Sequence, residues 1–202
     1  VTLPGTNIAT GSNIVVDTTS PIITSIASIS PNGTYPLGAN ITVRINFSEV
    51  ITLVGTMGIN LNTGGVAVVS AFTGTTATGV YTVLPGHNSS ALNATSITVN
   101  SSAKDIALNN LISTLPGINI ASGNTLVIDT IAPTITSITS LSANGSYKAG
   151  DIITVRINFS EIVTLIGTLG INLDSGGVAI VNPFVGTTAT GTYNVLAGQT
   201  SN

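Results

Sequence analysis

ANITVRINFSE, residues 39–49, decides how the chain reads. Ile41, Val43, Ile45 and Phe47 alternate with Thr42, Arg44, Asn46 and Ser48. A period of two sends each set to its own face of a β-strand, one apolar and one wet. The core of this stretch then returns: ITVRINFSE fills 41–49 and again 153–161, a shift of 112 positions. The rest of the chain obeys the same shift without a gap. VTLPGTNIATGSNIVVDTTSP at 1–21 lies over STLPGINIASGNTLVIDTIAP at 113–133, and GTTATG at 74–79 lies over GTTATG at 186–191. About 56 of the 90 overlapping positions are identical, so the chain is a duplicated unit. Solenoid units of about 20–50 residues cannot fold alone, whereas a unit of this length is the size of an independent domain.

The repeat sets the expected domains. Residues 1–17 match the terminal strand and linker of a preceding repeat, 18–129 form a complete domain, and 130–202 form a second domain that lacks its last strands. Other expected strands are 22–29, 57–61, 65–72, 77–84, 94–100 and 124–129, separated by turn signals such as Asn32-Gly33, Gly64-Gly65, Gly74 and Pro85-Gly86. No segment sustains a 3.6-residue period with caps. The expected fold class is therefore all-β: tandem immunoglobulin-like β-sandwich domains of about seven strands each. In the first strand, Ile23, Ile26 and Ile29 fall at a period of three. A bulge, or a strand that switches sheets, would account for it.

Composition excludes several functions. Only 5% of residues are charged while 43% are hydrophobic, so the surface must be built from hydroxyls and amides rather than ion pairs. Disorder needs low hydrophobicity and high net charge, and this chain has neither. A net charge of −3 gives no attraction to nucleic acid or to an anionic membrane. With no cysteine there are no disulfides or thiolate metal sites. No run of 18 apolar residues is present to form a transmembrane helix. A membrane-spanning β-barrel would need aromatic girdles, which four Tyr and no Trp do not supply. No signal peptide is visible, so a secretion signal would lie outside this segment.

Two longer stretches carry a family resemblance: IDTIAPTITSITS at 128–140 and NGSYKAGDIITVRINFSEIVTLIGT at 144–168. They resemble the bacterial Ig-like tandem repeats of large secreted surface proteins and adhesins, whose pattern runs DTTAPT, NGTYKAGD, a strand ending FSE, then a DAAGN-like loop. Both copies carry the pattern, so the resemblance spans essentially the whole chain. The acidic loop departs from it, reading KDIALNN at 104–110 with Leu108 where Gly is usual. The resemblance implies an extracellular or cell-surface spacer, often calcium-bound, without enzyme activity.

Catalysis finds no support in the residues. The single histidine, His87, sits in a PGHNSS turn and its counterpart is Gln199, so it reads as a solvated turn residue. There is no nucleophile elbow, phosphate-binding loop or paired-histidine motif. Lys104, the only lysine of the complete unit, falls in an expected loop, which argues against an internal isopeptide crosslink. Eight Asn-x-Ser/Thr sequons occur, against roughly five expected by chance in so Asn-, Ser- and Thr-rich a chain, a weak signal. Those at Asn46 and Asn158 fall on the outward face of their strand, where a glycan would be tolerated.

The acids are more informative. On a sandwich whose strands alternate in direction, Asp17, Glu49 and Asp105 come to one pole and form one candidate metal site, with Asn109 as a further candidate ligand. Asp129 and Glu161 begin the equivalent site before the second domain. Clustered carboxylates repel, and a bound Ca²⁺, which takes six to eight oxygens, would relieve this. The alternative is that Asp17 caps a turn through side-chain hydrogen bonds and the other acids are solvated.

The expected function is a structural spacer, stalk or filament repeat. Its expected partners are neighbouring repeats or copies of the same chain, end to end, with a cell-surface or glycan partner as a further candidate, and no nucleic acid or membrane insertion. The alternative is an adhesive module that binds a glycan or host surface through exposed loops. Short linkers restricted by Pro21 and Pro133 favour a stiff rod. The ragged ends fit a longer array better than head-to-tail strand donation, in which the strand at 12–17 of one copy would enter the incomplete domain of the next. Residues 1–17 supply a counterpart of 113–129, but nothing supplies one of 91–112.

Overall fold

The structure, a computed structural model, describes residues 14–201. Most of the expected preceding strand at 1–17, including residues 12 and 13 of its last stretch, lies outside them. The chain divides into two compact units, one ending at Ile131 and the other beginning at Ala132. The described chain is nearly all-β, its larger sheets antiparallel, consistent with a β-sandwich fold class.

The first unit is organised by one long hairpin. Strand β1 (Ile23–Ser28) is followed by the short β2 (Gly33–Tyr35), then β3 (Asn40–Leu61) and β4 (Val66–Thr82). The expected strands 39–49 and 57–61 are thus a single element, as are 65–72 and 77–84. The reason lies in the phase of the apolar residues. Ile41, Val43, Ile45, Phe47, Ile51, Leu53, Met57, Ile59 and Leu61 are all buried, and all fall on odd positions. The stretch between the two expected strands holds bulges and not a break. The β3–β4 register slips between Asn46 and Ile51 and again between Leu53 and Thr56. Gly55 takes φ 82°, the left-handed backbone a bulge needs. Because bulges bend and twist a strand, the two halves of the hairpin share one core instead of extending as a flat ribbon.

Strands β1 and β5 (Ala94–Lys104) line the same edge of β3, β1 opposite residues 43–47 and β5 opposite 52–61. A 3₁₀ turn at Ile120–Ser122 and strand β6 (Leu126–Ile128) complete the unit, β6 pairing in parallel with β2. The period of three in β1 is a bulge. Ile23 pairs with Phe47 and Ser25 with Asn46, leaving Thr24 over. Ile23 and Ile26 therefore both point inward, while Ile29 lies beyond the strand and is exposed.

The second unit uses the same sequence with more breaks: β7 (Ile135–Ser140), β8 (Ile152–Leu165), β9 (Leu169–Asn172), β10 (Val178–Val181) and β11 (Phe184–Asn194). They form one sheet in the order β7-β8-β11-β10-β9. The β7 bulge recurs at Thr136, between the pairs Ile135–Phe159 and Ser137–Asn158. Pro183 stands where the first unit has Ala71, and a proline has no N–H for the ladder, so β10 and β11 separate there.

The charge-poor surface is held by neutral cross-strand pairs. Asn60 Nδ2 donates to Ser96 Oγ and Thr98 Oγ1, both at 2.9 Å, and the Thr82 hydroxyl donates to Asn40 Oδ1 at 2.7 Å. Pairs of this kind stabilise a sheet by roughly 0.2–1 kcal/mol each. Two sequon residues belong to this set: Asn46 Nδ2 donates to Ser25 Oγ at 2.7 Å and Asn158 Nδ2 to Ser137 Oγ at 2.6 Å.

Candidate functional site

The bend in β3 positions the acids. Glu49 lies within the slipped segment between Asn46 and Ile51, in mid-strand and not at the strand end that the sequence implied. Strand β5 runs antiparallel to the second half of β3 until Lys104 stands opposite Thr52, so Lys104 ends a strand and is not in a loop. The next residue, Asp105, is thereby delivered beside the bend. Asp17 arrives from the other side. The N–H of Ser48 bonds the Ile22 carbonyl at 2.9 Å and that of Ile112 bonds the Pro21 carbonyl at 2.9 Å, which ties the segment after Asp17 to both β3 and the 105–112 loop.

The result is one cluster. Asp17, Glu49 and Asp105 each offer a carboxylate oxygen within 4.8 Å of the others, with Asp105 buried and the other two partly exposed. Asn109 organises it. Its backbone N–H and its Nδ2 donate to the two oxygens of Asp105, both at 2.8 Å, and Nδ2 also donates to the Asp17 carbonyl at 3.2 Å. Leu108 takes φ 70°, the conformation for which glycine is usual, and its N–H bonds the Asp105 carbonyl at 3.2 Å. The loop closes despite the leucine, whose side chain is exposed.

Partial burial, and then the negative charges of Asp17 and Asp105, push the Glu49 carboxyl above its ordinary range. Asp17 also accepts the Thr19 N–H at 2.9 Å, so turn capping and clustering coexist in one side chain. The three carboxylates could hold a metal ion, since carboxylate oxygens are ligands that calcium takes.

The acids of the second set fall in different units, Asp129 in the first and Glu161 in the second. Asp129 accepts the Ile131 N–H at 3.0 Å, as Asp17 does that of Thr19. Glu161 Oε1 is buried and has no hydrogen-bond partner among the described residues.

His87 has a structural role rather than simple solvation. Its Nδ1 accepts the Leu84 N–H at 3.3 Å and lies 2.9 Å from the Tyr81 hydroxyl. In the second unit Gln199 Oε1 takes the same place, accepting the Leu196 N–H at 2.8 Å and the Tyr193 hydroxyl at 2.7 Å. Both tyrosines lie against a glycine, Gly65 and Gly177, where any Cβ would overlap the ring. The pairing of a tyrosine with an acceptor six residues on was the signal in the sequence, visible once both copies are aligned.

Neither protein-family models nor curated proteins give a match to this chain.

Proposed function

We propose that the chain is a structural spacer, a stalk or filament repeat of a long extracellular surface protein built from Ig-like domains, with no catalytic role. The observation that carries this reading is what the duplication preserves. The contacts kept at matched positions are scaffold contacts: Asn46–Ser25 with Asn158–Ser137, and Tyr81–His87 with Tyr193–Gln199. The aromatic residues are likewise spent on structure. Phe47 stacks on Phe72 and Phe159 on Phe184, while the Tyr35 and Tyr147 hydroxyls each donate to a backbone carbonyl at 2.6 Å. That favours a spacer over an adhesive module, which needs exposed aromatic platforms. Binding of a glycan by the chain at about micromolar strength would overturn the preference.

The acidic cluster supports a calcium ion as the cofactor of this spacer, held by Asp17, Glu49 and Asp105 with Asn109 orienting the loop. Bound calcium would fasten the bend of β3 to the loop after β5 and to the segment that enters the unit. Binding to the folded state alone stabilises it by about 2.7 kcal/mol when the ion is a hundredfold above its dissociation constant. Calcium therefore raises the melting temperature of the chain, and Glu49→Ala abolishes the rise. An unchanged melting temperature up to millimolar calcium contradicts the cofactor.

A further inference from the structure

Within the first unit, the middle of strand β5 has an edge with no backbone partner among the described residues. Other strands of the unit meet a second neighbour. On the side of β1 away from β3, the Ile26 N–H bonds the Ile118 carbonyl at 3.0 Å, and beside β6 the Ser89 N–H bonds the Ile128 carbonyl at 2.9 Å. β5 is met near its ends, where Asn119 Oδ1 accepts the Ala94 N–H at 3.2 Å and the Leu111 N–H bonds the Ala103 carbonyl at 2.9 Å. Between those ends the ladder fixes which groups face outward. The Leu61 N–H bonds the Gly65 carbonyl at 2.9 Å, so Leu61 turns its backbone toward β4. The Thr95 hydroxyl donates to the Asn60 carbonyl at 3.2 Å, so Asn60 turns its own toward β5. Successive residues alternate in this, so Asn60, Gly58 and Thr56 bond their opposite residues Ser96, Thr98 and Asn100. Ile97 and Val99 therefore direct N–H and C=O away from β3.

Nothing in this edge discourages a further strand. Charges, prolines and bulges are the usual means of blunting one. Residues 95–100 read TSITVN, without charge or proline, and the register with β3 does not slip from Ser96 to Lys104. The irregular backbone of Ser101, at φ 107°, comes only after them. We propose that this edge pairs with the same edge of a second copy of the chain, antiparallel about Thr98, so that one sheet continues through both copies.

A second copy is the occupant because the edge is its own complement. About Thr98, Ile97 stands opposite Val99 of the second copy, and the two exchange both of their outward backbone bonds. Ile97 and Val99 are half-buried against the core, so pairing them covers the apolar surface each still shows. On the outer face Thr98 meets Thr98 of the second copy, and Ser96 meets Asn100. These are the hydroxyl and amide pairs the sheet already uses, as where Asn60 Nδ2 donates to Ser96 Oγ and Thr98 Oγ1. No like charges are opposed anywhere along the contact. The pairing is isologous, so it closes at a dimer. It goes beyond the spacer reading, since it joins two spacers side by side, and its failure leaves that reading untouched.

Sedimentation velocity of the 202-residue chain over a concentration series tests this. The expected result is a monomer–dimer equilibrium with nothing larger. Thr98→Lys sets like charges directly opposite each other and abolishes the dimer, and so does Thr98→Glu. Mixed, the two variants dimerise again, because opposite charges then face each other. Amide hydrogen exchange of the unaltered chain supplies an arm that does not depend on either variant folding. The N–H groups of Ile97 and Val99 gain protection as concentration rises through the equilibrium, while those of Ser96, Thr98 and Asn100, already bonded to β3, are protected throughout. A chain that stays monomeric at every concentration overturns the proposal. So does a dimer that persists in Thr98→Lys, or one that forms without added protection at Ile97 and Val99, since either would put the contact on another face.

Discussion

His87 shows what a single residue reveals only when its duplicate is read beside it. Alone in a turn it looks solvated, but Gln199 accepts the same two donors, so the position requires an acceptor and not an imidazole. His87→Gln should therefore leave the melting temperature nearly unchanged, while His87→Ala strands the Tyr81 hydroxyl and the Leu84 N–H and costs about 1–2 kcal/mol. Thermal unfolding of the two variants checks this, and equal losses would contradict it. Glu49 is the other residue whose chemistry follows from its neighbours. Its carboxyl is raised by partial burial and by Asp17 and Asp105, so without metal the folded state holds its proton more tightly than the unfolded chain does. Stability then falls as pH rises from the ordinary carboxylate value through the raised one, and the loss is complete above it. In chelator, Glu49→Gln should raise the melting temperature at about pH 7 and make no difference near pH 4. A variant that is less stable than wild type in chelator at neutral pH would contradict the repulsion. The grouping of Asp17, Glu49 and Asp105 was legible in the sequence, although the strand end expected at Glu49 does not exist. That Glu49 sits at a bend within a strand was not, since a bulge leaves no mark except a break in an otherwise regular alternation.

At the scale of elements, strand type and apolar phase were legible, and strand boundaries were not. Gly74 reads as a turn signal, yet β4 runs through it, as β3 runs through Gly55. A glycine with positive φ serves a bulge as well as a turn, and local sequence does not separate the two. The parity of the buried residues from Ile41 to Leu61 was the clue that the strand never reverses. β2 was missed for a related reason: three residues beside Asn32-Gly33 become a strand only because β6 pairs with them. Gly55 also decides whether β5 can lie against β3. A Cβ there would overlap the backbone oxygen of Asn100 and come within 3.0 Å of Ser101 Cβ, and φ 82° is itself unfavourable for alanine. Gly55→Ala should destabilise the first unit by about 3 kcal/mol. Denaturant titration measures it, and a loss below about 0.5 kcal/mol, the range of an ordinary surface substitution, would show that the β3–β5 contact is looser than described.

On the scale of the whole molecule, the duplication was the most legible feature, because 112 residues of period leave room for a domain and not for a solenoid turn. The central proposal is that the chain spaces things apart, through short proline-restricted linkers between its units. Small-angle scattering tests it most directly, at a dilution where the chain is monomeric. A compact globule of 202 residues would have a radius of gyration of about 17 Å. The spacer account predicts a value clearly above that, with a distance distribution drawn out to a long tail. A value near 17 Å with a single symmetric peak, the signature of two units folded side by side, would contradict it.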